Sequence, residues 1–235
     1  MSVVGCDVLV VAPHPDDAEI ACAGSILQLV AAGRRVVVAD LTRGEKGSRG
    51  DATTRAREAE AAGKALGLRA RENLGLPDTQ LCDDAASARA LISVLRRLRP
   101  ALLLAPHARD FHPDHVAANA LCRRAFFLAG LRNVHPDLGA PHRPQRVLWY
   151  PGNELVEASV VVDISAVAER KLDVIRCYAS QTDGADNAHF VNRLGPLERV
   201  DLRDRFYGLR IGVRAGEGFV VDNAFGLRDA SALLA

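Results

Sequence analysis

The chain has 235 residues, 49% of them hydrophobic and 25% charged, which fits one sizeable α/β domain. Its net charge of +1 gives no global electrostatic case for nucleic acid or an anionic membrane as partner. The cysteines (Cys6, Cys22, Cys82, Cys122, Cys177) are odd in number and form no C-x-x-C pair, which argues against a disulfide framework or a four-thiolate zinc site. They read as buried apolar residues.

The N-terminus shows no basic stretch followed by a long apolar one, so no signal peptide is expected and the cytoplasm is the default location. No segment approaches the roughly 18 consecutive apolar residues of a membrane span. Val8-Leu9-Val10-Val11-Ala12 reads as a strand buried on both faces. A helix is expected over 18–33, a second strand over 36–39, a loop rich in glycine and charge over 42–52, and an alanine-rich helix over 53–66. A short strand at 72–74, a helix over 84–98 and a strand over 101–105 follow, then a helix over 115–129. Residues 131–145 are rich in turn formers. Strands at 146–150 and 159–163, a helix at 165–179, a helix at 198–208 and a strand at 217–222 complete the prediction. The β-α alternation predicts an α/β, Rossmann-like, mostly parallel sheet with helices on both faces. No linker divides it, so 1–235 reads as one domain, with residues from about 146 completing the sheet and the substrate site.

Chemistry concentrates at two strand ends. Pro13-His14-Pro15-Asp16-Asp17-Ala18-Glu19 follows the first strand, at the edge where open α/β sheets bind ligands. Either acid alone would serve as a helix cap, but capping does not explain His14 or two consecutive acids. Asp110-Phe111-His112-Pro113-Asp114-His115 follows the strand over 101–105 and should reach the same edge. Four of the seven histidines (His14, His107, His112, His115) fall near these two places. A catalytic zinc needs three protein ligands and an open position, and His14, Asp17 and His115 would supply two imidazoles and a carboxylate. Such a metal brings the pKa of its water toward about 7 and polarises a carbonyl. Asp16 would then accept the proton, His112 would hydrogen-bond the oxyanion, and Asp114 would orient His112.

The segments His14-Pro15-Asp16-Asp17-Ala18-Glu19-Ile20 and His112-Pro113-Asp114-His115 resemble the LmbE/PIG-L superfamily of zinc-dependent deacetylases. Leu41-Thr42-Arg43-Gly44-Glu45, Leu76-Pro77-Asp78, and Arg55 followed by Glu58 fit as well. Tyr178-Ala179-Ser180-Gln181, Arg203-Asp204-Arg205-Phe206-Tyr207-Gly208 and Gly216-Glu217-Gly218-Phe219 are similar to the bacillithiol-pathway deacetylases. The resemblance implies a Rossmann-like fold with one zinc, or another divalent metal, on His14, Asp17 and His115. It implies Asp16 as base, His112 at the oxyanion with Asp114 behind it, and Arg55 on an anionic part of the substrate. The implied substrate is an N-acetylglucosaminyl malate-like conjugate, and the implied assembly a homo-oligomer. The chain departs from the subfamily at Ala21-Cys22-Ala23-Gly24, where the helix start is usually glycine-rich, and at 188–197, which lacks a tyrosine and offers His189 in its place.

Other motifs are weaker. The segment 42–50 does not match G-x-x-x-x-G-K-[ST], so it reads as a lid over the sugar or a solvated loop. Glu217 reads as an ordinary surface acid, and Tyr178 and Gln181 as packing residues. The alternatives are a zinc amidase of thiol conjugates, a natural-product deacetylase, or a non-catalytic Rossmann-like sugar- or nucleotide-binding module. A serine hydrolase is disfavoured because no G-x-S-x-G elbow follows a strand.

Overall fold

The computed structural model describes residues 5–182, 194–224 and 226. Five strands, β1 (Val8–Ala12), β2 (Val36–Thr42), β3 (Ala70–Leu76), β4 (Leu102–Pro106) and β5 (Arg146–Tyr150), form one sheet in the order β3-β2-β1-β4-β5. All neighbours run parallel, with Val8 opposite both Val36 and Leu102, and Leu102 opposite Arg146. The carboxyl ends of all five strands therefore share one edge.

Helices α1 (Asp17–Ala31) and α2 (Ala52–Leu66) pack on one face, and α3 (Ala85–Leu98) and α4 (Pro113–Ala129) on the other. Successive strand residues point to opposite faces, so β1 divides itself between two cores. Val8, Val10 and Ala12 join the α1–α2 side, while Leu9 and Val11 join the α3–α4 side. That double burial is why β1 and residues 36–39 of β2 read as uninterrupted apolar runs. α2, α3 and α4 begin where a side chain accepts from an otherwise unpaired backbone N–H. Asp51 accepts from Thr54 N and Asp84 from Ser87 N, each at 2.7 Å. α4 starts at Pro113, two residues before the expected 115, because proline suits the first helical position and the His112 ring accepts from Asp114 N.

The C-terminal third differs from expectation. β6 (Val160–Asp163) and β7 (Gly216–Phe219) pair antiparallel with each other in a separate two-stranded sheet. Among the described residues, their backbone pairing with the main sheet is limited to a Trp149–Val220 bridge just past β7, while Phe219 packs against the sheet's α1–α2 face. Alternation over so few residues marks a strand without naming its partner. The helix expected over 165–179 is divided into α5 (Ala168–Arg176) and α6 (Ala179–Thr182), and α7 spans Pro196–Ile211. β3 is longer than the 72–74 expected, its pattern masked by half-exposure at the sheet edge. Cys6, Cys22 and Cys122 are buried, but Cys82 is exposed and Cys177 partly so, contrary to the reading of all five as core residues. No described helix is long and apolar enough to cross a membrane. His189 lies outside the described residues.

Candidate active site

β1 and β4 are adjacent and parallel, so the turn entering α1 and the turn entering α4 meet. The first turn is tightly wound. His14 N donates to Asp17 Oδ2 at 2.9 Å, and Asp16 holds a positive φ of 113°, a conformation few L-residues adopt without a compensating gain. In the second turn Asp110 Oδ1 accepts from His112 N at 2.8 Å, and His112 in turn caps α4.

Where the turns meet, Asp17 Oδ2 lies 3.1 Å from His14 Nδ1 and 3.3 Å from His115 Nε2. The donor atoms of these three residues all fall within 4.8 Å of one another. The outward nitrogens are held as well. His14 Nε2 is 3.1 Å from Asp114 Oδ2 and 3.2 Å from Asp78 Oδ1, and His115 Nδ1 is 2.9 Å from Asp110 Oδ2. Metal-ligating imidazoles typically carry such a carboxylate on the nitrogen away from the ion. Two imidazoles and one carboxylate with converging lone pairs fit a divalent ion of the zinc class. The His112 ring stacks on His115, with centroids 4.8 Å apart, and is 4.9 Å from that of His14.

The electrostatics are those of a buried acid–imidazole cluster. Burial disfavours both imidazoliums, but the surrounding carboxylates outweigh it. Asp17 and Asp114 push His14 up to about 9, and Asp17 and Asp110 push His115 up to about 10. Burial likewise opposes ionisation of Asp17, yet His115 and His14 hold its carboxyl well below the usual range. Asp16 goes the other way: burial pushes it up to about 7, with Arg55 pulling down and Asp17 pushing up. Burial, with His115 and His14 nearby, lowers His112, which favours the neutral ring. Its Nδ1 accepts from Asp114 N at 3.2 Å, so the ring proton sits on Nε2.

A cavity of about 360 Å³ opens over the cluster, and His14, Asp16, Asp17, Arg55, His112 and His115 all line it. Lys46, Gly47 and Ser48 of the 42–50 loop form part of its wall, as does Gln181. Two of the expected residues have partners that the sequence did not indicate. Asp114 was expected behind His112, but its carboxylate accepts from Thr79 N at 2.8 Å and Leu81 N at 3.2 Å and faces His14. The capping geometry explains this: at the second position of α4 it is the Asp114 backbone, rather than its side chain, that meets the His112 ring. Arg55 was expected on an anionic part of the substrate, but it is 5% exposed and its Nη2 lies 3.1 Å from Asp16 Oδ2 while donating to Pro15 O. Its position on the buried face of α2 turns the guanidinium under the Asp16 turn.

Three residues with no expected role enter the site. Asp78 and Asp110 support the two imidazoles, and Asn153 donates to Asp110 through N at 2.7 Å and Nδ2 at 3.1 Å. Asp78 and Asp110 were visible as acids after strands, but nothing in the spacing said which imidazole each would face. His107 stays outside the cluster, its Nδ1 accepting from Arg109 N at 3.0 Å. Glu217, read as a surface acid, is 1% exposed.

The PIG-L family, described as GlcNAc-PI de-N-acetylase, matches residues 9–126. A diacetylchitobiose deacetylase of Thermococcus kodakarensis is 34% identical, covering 90% of this chain and 81% of that protein. A probable N-acetyl-α-D-glucosaminyl L-malate deacetylase 2 of Bacillus subtilis is 31% identical over 75% of this chain and 84% of its own length. The crystal structure of a conserved protein from Thermus thermophilus superposes with a TM-score of 0.85 at 38% identity, covering 95% of this chain and 98% of that one. With a matched segment that carries both turns of the cluster, and relatives similar along most of their length, the chain belongs to the PIG-L family.

Proposed function

We propose that this chain hydrolyses the acetamide of an N-acetylglucosamine conjugate, releasing acetate and the free amino sugar, with one zinc ion held by His14, Asp17 and His115. The observation that carries the reading is the convergence of those three donors beneath an open cavity, with a carboxylate behind each imidazole. Bound zinc supplies Lewis-acid polarisation of the carbonyl and lowers the pKa of water.

The chain's own groups do the rest. Asp16 lines the cavity beside Asp17 and takes the proton of the attacking water, a task suited to a carboxyl titrating near neutrality. As the carbonyl carbon becomes tetrahedral, His112 donates its Nε2–H to the developing oxyanion. The C–N bond then breaks, and the proton held by Asp16 passes to the departing nitrogen, leaving an amine and acetic acid, which ionises to acetate by giving its proton to solvent or to the amine. Arg55 keeps the Asp16 carboxylate in place and limits the rise in its pKa. Asp114 and Asp78 orient His14, and Asp110 orients His115.

The substrate is proposed as N-acetylglucosaminyl malate or a close analogue, on the likeness of the C-terminal segments to the bacillithiol-pathway deacetylases. The named relatives make N,N′-diacetylchitobiose the comparison compound. The test is acetate release from both compounds by the purified protein before and after removal of metal with a chelator. Activity that disappears on chelation and returns with added zinc supports the reading. Activity unchanged by complete metal removal overturns the zinc mechanism, and a ranking that favours the chitobiose overturns the malate assignment.

A further inference from the structure

α1 is not one continuous helix. At Cys22 the backbone leaves helical geometry, with φ −145° and ψ 23°, five residues after Asp17. In an unbroken helix Gly24 N–H would donate to the Ile20 carbonyl. Here each half of that pair finds a partner from the C-terminal third. Gly24 N donates to Glu217 Oε1 and Ser25 N to Glu217 Oε2, both at 2.8 Å, so one carboxylate caps the second half of α1. The Ile20 carbonyl accepts from Arg203 Nη2. Glu217 is fixed in turn by the fully buried Lys171, whose Nζ lies 2.8 Å from Glu217 Oε1 and 2.9 Å from Asp204 Oδ1. Gly24 is glycine for this reason: a Cβ there would stand 2.7 Å from Ile164 and 3.0 Å from Glu217 Oε1.

Arg203 has a second arm. Its Nη1 donates to the Gly152 carbonyl at 2.9 Å. The next residue, Asn153, holds Asp110, and Asp110 holds His115. One guanidinium thus touches the helix turn three residues beyond Asp17 and the loop that supports His115. A planar guanidinium with separated donors can bridge two carbonyls facing different ways, whereas a lysine ammonium concentrates its donors at one point.

We infer that Arg203 is a positioning residue, spanning the two halves of the metal-donor cluster, and that Glu217 keeps α1 broken so that the Ile20 carbonyl is presented to it. The clamp's effect on metal binding rests on the proposed zinc set of His14, Asp17 and His115; the clamp itself does not.

The test compares wild type with Arg203→Lys, Arg203→Ala and Glu217→Gln. Three quantities are read: zinc affinity of the metal-free protein against a competing chelator, amide hydrogen exchange of residues 17–24 without metal, and kcat and KM on N,N′-diacetylchitobiose. All three variants should exchange faster over 17–24, and zinc should weaken by roughly 10- to 100-fold, as for other groups that support metal ligands. kcat should fall with little change in KM, and lysine should not restore the wild-type values. A residue serving stability alone would lower the melting temperature and leave zinc affinity unchanged, which would overturn the inference. Should Arg203→Ala fail to fold, the nearly isosteric Glu217→Gln and the still cationic Arg203→Lys decide. If the wild type itself binds no zinc, the zinc reading fails, and hydrogen exchange alone then supports or overturns the clamp.

Discussion

Asp110 Oδ2 lies 2.9 Å from His115 Nδ1, fixing that imidazole so that its Nε2 faces Asp17. Asp110→Asn keeps an oxygen for the His112 backbone but loses the negative charge that orients and polarises His115. Zinc affinity should drop by roughly 10- to 100-fold, measured by competition with a chromophoric chelator. Wild-type affinity in this variant would remove Asp110 from the machinery of the site.

Gly152 sits against the same pair. A Cβ on it would collide with the Asp110 carboxylate and lie 2.8 Å from His115 Nδ1. Gly152→Ala should therefore displace the His115 ring while leaving the sheet intact. Misplacement on the scale of ~1 Å costs about 100-fold in rate, so kcat/KM should fall by that order while the circular dichroism spectrum stays unchanged. Full activity would mean that the loop yields without disturbing the imidazole.

Asp16 and the three donors should separate cleanly. Asp16→Asn removes the proton acceptor and should lower kcat by roughly 10²- to 10⁴-fold with stoichiometric zinc retained. His14→Ala or His115→Ala should instead yield protein with little bound zinc, read by elemental analysis. Loss of zinc in Asp16→Asn would place that carboxylate among the ligands.

The start of β1 carries a pH-dependent contact remote from the site. Asp7 Oδ1 lies 2.9 Å from Arg35 Nη2, and Asp7 Oδ2 accepts from Arg35 N at 2.8 Å. These hydrogen bonds hold the carboxyl down at about 2, below its ordinary 3.8. A carboxyl whose pKa is lower folded than unfolded adds stability above the unfolded value and loses it as pH falls through the folded one. The gap in melting temperature between wild type and Asp7→Asn should be constant at neutral pH and close between 3.8 and about 2. Because the pair is partly exposed, the gap should be small and should shrink with added salt. A gap that widens with acid would refute the assignment.

Much of this protein is written locally. Val8–Ala12 and the 36–39 run of β2 are apolar because both their faces are covered, and that continuity reveals a buried parallel sheet before any partner is known. The two histidine- and acid-rich segments follow strands that run the same way, so a shared edge could be anticipated, and with it the meeting of His14, Asp17 and His115. What only the folded chain decided is where side chains at long sequence separation point. Asp114 turned to His14 across 100 residues, Arg55 to Asp16 across 39, and Glu217 to the interrupted backbone of α1 across 193. Periodicity records which face a residue occupies and residue type records what it can bond. The choice among chemically equivalent partners is made by close packing and by the need to satisfy every buried polar group, which no local window of sequence contains.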